Sequence, residues 1–226
     1  MGRRRPPQRA EQPPAARAGH NTEKSRQDAK RPRRLALRGR ANAGSLIGSV
    51  SRYSSLTEMI RTLQPHDAAA YLAFRQMMLR DSPLAFASSP EDDRATSVEA
   101  VRESLSRAPE AVVIGAFEGD LIGSIGLFRD HHRKAAHKAH IWGMFVAPNH
   151  RGRGIGRQLL EAAIAHARTL PGVDWVHLSV SEAAPTAKRL YEKAGFQVWG
   201  HEHDALRHDG RTVSEWHMAR QVFEVC

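Results

Sequence analysis

Val146-Ala147-Pro148-Asn149-His150-Arg151-Gly152-Arg153-Gly154-Ile155-Gly156-Arg157 joins an apolar run to an amphipathic one. Upstream, Ile141, Trp142, Met144, Phe145 and Val146 read as a buried strand, and Pro148 ends it because proline has no N–H for a ladder. Downstream, Leu159, Leu160, Ala163, Ile164 and Ala167 recur at helical spacing, which gives one apolar helix face. Between them, Gly152, Gly154 and Gly156 let the backbone approach a ligand closely and turn several N–H groups towards it. The loop opens on a helix N-terminus, where orphan donors and the positive end of the dipole favour phosphate or pyrophosphate. Arg151, Arg153 and Arg157 add positive charge at the same place. A plain strand-to-helix connection with a solvated basic rim is the other reading of the loop taken alone. Two familiar phosphate motifs are missing: there is no G-x-x-x-x-G-K-[ST], and the third glycine of G-x-G-x-x-G would fall on Leu159.

On either side of this stretch the pattern alternates strand and helix. A strand is expected over Met59–Leu63, then a helix near His66–Arg80 with Tyr71, Phe74, Met77 and Met78 as its core stripe. Asp81–Arg94, with Ser82-Pro83, Ser89-Pro90 and Asp92-Asp93, reads as a loop. A helix near Ser97–Ser106 puts Val98, Val101 and Leu105 inward. Ala111–Phe117, the turn Glu118-Gly119-Asp120 and Leu121–Phe128 give a hairpin signal. Arg129–Lys138 is a basic, histidine-bearing connection into the strand His140–Val146. A helix over Gly154–Arg168, a strand over Trp175–Val180, a helix over Thr186–Ala194 and a closing strand pair within Gly200–Met218 complete the order. In the last helix Pro185 suits the first turn and Gly195 the C-terminal stop.

Three segments in this order resemble the GNAT family of acyl-CoA-dependent N-acetyltransferases. The first is R-x-x-G-x-G after V-x-P, in the loop quoted above. The second is Leu190-Tyr191-Glu192-Lys193-Ala194-Gly195-Phe196, preceded by the strand-like Val176-His177-Leu178-Ser179-Val180. The third is the closing hairpin with Asp209-Gly210-Arg211 and Glu215-Trp216-His217-Met218. The resemblance implies a single α/β (α+β) domain over about residues 59–222. Its central mixed, mostly antiparallel sheet is flanked by helices and contains a splayed strand pair for coenzyme A. It implies acetyl-CoA as cosubstrate, with the pyrophosphate on Gly152, Arg153, Gly154, Ile155, Gly156 and Arg157. The pantetheine arm would pair with the backbone of Met144, Phe145 and Val146. Tyr191 matches the family tyrosine that protonates the departing thiolate. An ordinary helix-face aromatic is the other role open to that residue.

Two family features are missing. Ala184 stands where many members have a coenzyme A-contacting asparagine, and Ser179 where some protein-modifying members have a glutamate base. The base is therefore unassigned among Glu182, His140, His177 and a water relay. The acceptor implied is a primary amine, a small or amino-acid-like molecule first and a protein N-terminus or lysine second. A degenerate domain that binds acyl-CoA without turnover is the reading from another class. His131, His132, His137, His140, His201 and His203 come without a Cys pair or H-E-x-x-H, so no metal is expected.

Charge is divided unevenly. Residues 1–52 hold 14 of the 34 basic and 3 of the 24 acidic side chains, so the tail is +11 and the remainder −1 within the total of +10. The tail is rich in Arg, Pro, Ala and Gln and poor in large apolar groups, a composition that does not offset the entropy of ordering. Four readings of it stay open: a non-specific nucleic-acid arm without aromatics before Tyr53, an organelle-targeting segment, a solvated tail without a partner, or a stretch preceding a true start at Met59. Removing it is expected to leave folding intact and to abolish any binding to nucleic acid. No apolar run reaches the 18 residues of a membrane span, and no hydrophobic signal core is seen, so a cytoplasmic protein with no membrane partner is expected. The lone Cys226 excludes an internal disulfide. A homodimer is among the assemblies left open.

Overall fold

The computed structural model describes residues 60–223. The tail, the expected start of the first strand at Met59, and Cys226 lie outside the described residues. Within them run β1 (Ile60–Thr62), α1 (Ala68–Asp81), α2 (Val98–Leu105), β2 (Ala111–Glu118), β3 (Asp120–Arg129), β4 (Lys138–Val146), α3 (Ile155–Thr169), β5 (Trp175–Ser181), α4 (Pro185–Lys193), β6 (Gln197–His208) and β7 (Arg211–Gln221). The strands form one seven-stranded sheet in the order β1-β2-β3-β4-β5-β7-β6. Every neighbouring pair is antiparallel except β4 with β5.

Alternation along the central strands sorts side chains to two faces. Val112, Ile114, Ile125, Leu127, Val176 and Leu178 join Leu159, Leu160, Ala163 and Ile164 of α3 in the main core. Val113 instead meets Leu63, Tyr71, Val101 and Leu105, the layer of α1 and α2. The α3 face is the one anticipated from spacing. On α1, Tyr71, Phe74 and Met78 are buried as expected, but Met77 is a correction: at 38% exposed it faces away from the sheet. The loop after α1 also differs from expectation, since Pro83–Ala85 makes a 3-10 turn that buries Leu84. The closing strands are longer than expected, reaching Gln197 and Gln221.

The entry to α1 is fixed by one carboxylate. Asp67 accepts from the Gln64 N–H at 2.7 Å and takes both Arg61 nitrogens at 2.6 and 2.7 Å. The Arg61 bonds outweigh the opposing effect of burial and hold the Asp67 pKa at about 2, against 3.8 ordinarily. A depressed carboxylate stabilises the folded state above its unfolded pKa and loses that contribution as pH falls through the folded one. The melting temperature should therefore drop between about pH 4 and pH 2. In Asp67→Asn this part of the drop should be missing, because no proton is taken up at that site; an equal drop in the variant would assign it to other carboxylates.

Candidate functional site

β4 and β5 run together only at Lys138–His140 against Trp175–His177, and then diverge. The cause lies on the other edge of β4. Ser124 of β3 faces Phe145 and Gly126 faces Trp142, so Gly143 and Met144 together stand opposite Ile125. This bulge bends β4 away from β5 and leaves its edge beyond His140 without a strand partner among the described residues. Gly143 has φ 58°, in the left-handed region that glycine enters without steric cost. A Cβ there would sit 3.1 Å from Nη1 of Arg75.

Arg75 is the prop beneath the bulge. Its guanidinium donates to both carboxylate oxygens of Asp93, at 2.9 and 2.8 Å, and lies 5.4 Å from the Trp142 ring centroid. Both side chains are under a tenth exposed. Burial works against the charge on each, and their mutual bonds win: the Asp93 carboxyl stays below its ordinary pKa and Arg75 above its own. Sequence reasoning missed this pair, because Asp92-Asp93 in a Ser- and Pro-rich stretch carries only a turn signal.

Between the diverging strands opens a cleft bounded by Gly143 and Met144 of β4, Ser179 and Ser181 of β5, and Tyr191 of α4, with Phe86 from the loop after α1 also lining it. Tyr191 is 5% exposed, packs edge-on against Phe196 and donates its hydroxyl to Met144 Sδ at 3.5 Å. Burial pushes its pKa far above the ordinary tyrosine value, so it remains a phenol at physiological pH. Ala184, at the N-cap of α4, lines the same cleft and offers no side-chain cap.

The glycine loop stands at the head of α3. Gly152 and Gly154 have φ 78° and 82°, and Gly154 is the helix N-cap. The first helix-type bond is from the Gln158 N–H to the Gly154 carbonyl, at 3.2 Å. The N–H groups of residues 152–157 thus have no backbone acceptor among the described residues, an arrangement suited to an anion. At Gly156 a Cβ would lie 3.3 Å from Met144 Cε and 3.5 Å from Leu190, which seats the first turn against the cleft.

The arginines need a correction. Arg151 binds Asp81 at 2.6 Å and the Val146 carbonyl at 2.9 Å, Arg153 binds Glu118 at 2.7 and 3.0 Å, and Arg157 binds Glu161 at 2.7 Å. Their charge is compensated locally, so the main-chain donors are the stronger feature of the loop. These are exposed pairs, weak in water and easily exchanged for a ligand. The side chains of Ile155 and Phe145 are buried in the core, so only their backbone faces a ligand. Phe145 packs edge-on to Phe74 at 5.6 Å, whereas Met144 itself lines the cleft.

The candidate bases are placed unequally. Glu182 is 3.0 Å from His201 Nε2. His140 stacks on Phe128, 3.7 Å from Asp130, and His177 stands 5.7 Å from His140; neither lines the cleft, and burial lowers the pKa of both. Of the histidine-rich connection, Asp130, His131 and His132 bring ligand atoms within 4.8 Å of one another, in a largely exposed group. Ser179, which sequence reasoning took as a missing base, does line the cleft and bonds to His217 Nδ1 at 2.8 Å. No helix among the described residues is long and apolar enough to cross a membrane.

The family model described as acetyltransferase (GNAT) family matches residues 72–196. Mycothiol acetyltransferase of Propionibacterium freudenreichii subsp. shermanii is 31% identical over 153 residues, 60% of this chain and 46% of that protein. Spermine/spermidine N(1)-acetyltransferase of Bacillus subtilis is 33% identical over 88 residues, 37% of this chain and 57% of that protein. The chain thus spans about half the length of these relatives. The solved spermidine N-acetyltransferase from Vibrio cholerae, in complex with CoA and spermine, superposes with a TM-score of 0.59 at 21% identity, covering 72% of this chain and 94% of that one.

Proposed function

The chain belongs to the GNAT acetyltransferase family, and from that premise we propose that it moves the acetyl group of acetyl-CoA directly to the primary amine of a small molecule. One observation carries this reading: the partnerless edge of β4 opens a cleft lined by Met144 and Tyr191, and Met144 also lies against Gly156 in the loop whose N–H groups have no backbone acceptor among the described residues. The pyrophosphate of the donor sits on the main-chain donors of residues 152–157. The pantetheine arm takes the place of a strand along Met144, Phe145 and Val146, which puts the thioester beside Tyr191. Tyr191, protonated because burial disfavours its anion, gives its proton to sulfur as the C–S bond breaks. Glu215 of β7 stands opposite Ser181 of β5, which lines the cleft, and opposite Glu202 of β6, and these carboxylates suit a cationic acceptor. The relatives named for spermine, spermidine and mycothiol favour a small acceptor over a protein.

The test is thiol release from acetyl-CoA by purified protein with spermidine, glucosamine, free amino acids and a peptide with a free N-terminus. Turnover with a small amine is the expected result; turnover with the peptide alone would reverse the acceptor class, and none with any amine would leave a binding module. The loop has its own test. Gly154→Val places a β-branched side chain at φ 82°, where strain arises although no atom lies within 4 Å of the new Cβ. Calorimetry should show acetyl-CoA affinity reduced by about ten-fold or more, because the relaxed loop no longer points its donors at one place. Unchanged affinity in a folded variant would move the pyrophosphate elsewhere.

A further inference from the structure

Ser179 is one end of a chain of side chains that the proposed reaction has not yet used. Ser179 and His217 are direct partners on β5 and β7, with the Ser179 hydroxyl 2.8 Å from His217 Nδ1. On its far side His217 Nε2 is 3.0 Å from Glu202 Oε2. The ring is held in place by its surroundings. β6 carries a register shift between Val198, opposite Met218, and Gly200, opposite His217, and the extra residue is Trp199. The Trp199 ring stacks on His217 with centroids 5.3 Å apart and planes 29° from parallel. Gly200 leaves room beneath the ring, where a Cβ would already be in van der Waals contact at 3.5 Å.

We propose that Ser179, His217 and Glu202 form a proton relay that deprotonates the incoming ammonium at the mouth of the cleft, an inference that rests on the amine acetylation proposed above. With the neutral imidazole carrying its proton on Nε2, that N–H donates to Glu202 and Nδ1 accepts from the Ser179 hydroxyl. The acceptor ammonium passes a proton to Ser179 Oγ while the serine proton moves to His217 Nδ1. The freed nitrogen lone pair attacks the thioester carbonyl carbon; a C–N bond forms and the carbonyl π pair moves to oxygen. On collapse the C–S bond breaks and the thiolate takes the phenol proton of Tyr191. The amide nitrogen's surplus proton returns to the tyrosinate through water, and the imidazolium releases its proton to solvent. One amide, one thiol and one proton are the products. Ser179 touches the acceptor, His217 acts through it, and Glu202 positions the ring through its contact with Nε2. The other charged groups beside His217 are Glu215, whose carboxyl pKa burial raises, and the Glu182–His201 pair at 3.0 Å across the sheet end.

The experiment compares wild type, His217→Gln, Ser179→Ala and Glu202→Gln with the fastest amine of the panel above, across pH, after melts and acetyl-CoA titrations show the variants folded and loaded. At neutral pH, kcat/KM should fall by about 10²–10⁴-fold in His217→Gln, and the gap should close with unit slope towards the pKa of the amine, because only pre-formed free amine then reacts. Ser179→Ala should show the same slope and Glu202→Gln a smaller defect. A purely structural role gives a deficit that does not change with pH, and that result, or a wild-type rate, overturns the relay. Nitrogen-15 shifts of the free protein supply an acceptor-independent check: a neutral His217 protonated on Nδ1 could not take the serine proton and also overturns it. A wild type inert with every amine would fell the acetylation reading itself, which is distinct from an active wild type whose variants show no pH-dependent defect.

Discussion

Tyr191→Phe should lower kcat by about 10²–10⁴-fold, the usual contribution of a positioned general acid, while acetyl-CoA affinity and the melting temperature stay close to wild type. The substitution removes one hydroxyl and almost no volume. What is lost on the protein side is a single long bond to Met144 Sδ, at 3.5 Å, and a thioether is a weak acceptor. The edge-on packing against Phe196 persists, since the ring remains. Burial keeps the phenol protonated across the assay range, so the activity of wild type should show no alkaline limb from this residue, and the variant's deficit should be nearly constant with pH. Stopped-flow or single-turnover measurement under conditions where chemistry limits is the readout. A wild-type rate in Tyr191→Phe would mean that the thiolate leaves unaided or is protonated elsewhere. The constancy with pH also separates this residue from His217, whose loss should be corrected by alkali.

Asp93→Ala should destabilise the fold by about 3–5 kcal/mol, because it strands the Arg75 guanidinium, 7% exposed, without its anion. Burial disfavours that charge, and the Asp93 carboxylate is what compensates it. The double variant Arg75→Met, Asp93→Ala should recover much of the loss, since the desolvated charge is gone and a long apolar chain fills its place under Trp142 and Gly143. Urea titration of both variants is the measurement. A single variant no less stable than the double would show that the pair is hydrated and does not prop β4. Because Arg75 lies against Gly143, the same variants should also weaken acetyl-CoA binding at temperatures where they remain folded, by letting the bulge relax.

How far the sequence reached depends on whether the signal was local. The turn at Glu118-Gly119-Asp120 and the strands on either side are covalently adjacent, so alternation and one glycine at φ 77° identify the hairpin without reference to the rest of the chain. The glycine loop is equally local: strand, proline, three glycines and the apolar stripe of α3 are contiguous, and their order requires a helix N-terminus facing whatever lies beyond the strand. Tyr191 and Gly195 share one short helix and its stop. The charges around the loop were misjudged for the opposite reason. The partners of Arg151 and Arg153 lie 70 and 35 residues away, at Asp81 and Glu118, and nothing in the neighbouring sequence points to them.

The order of strands and helices, the glycine turn at the head of α3 and the presence of a tyrosine on the helix that follows β5 thus follow from residue type and spacing within a few turns of chain. Where β4 leaves β5 is not local in this sense, because it depends on a bulge propped by an Arg75–Asp93 pair brought together across 18 residues. Strand register likewise sets Ser179, which the sequence marks only as the place of a missing glutamate, against His217, 38 residues later, with Glu202 behind it. Such pairs arise from strand order and register, which hydrogen bonding between distant segments sets, and a side chain's neighbour across a sheet leaves no periodicity in the chain that carries it.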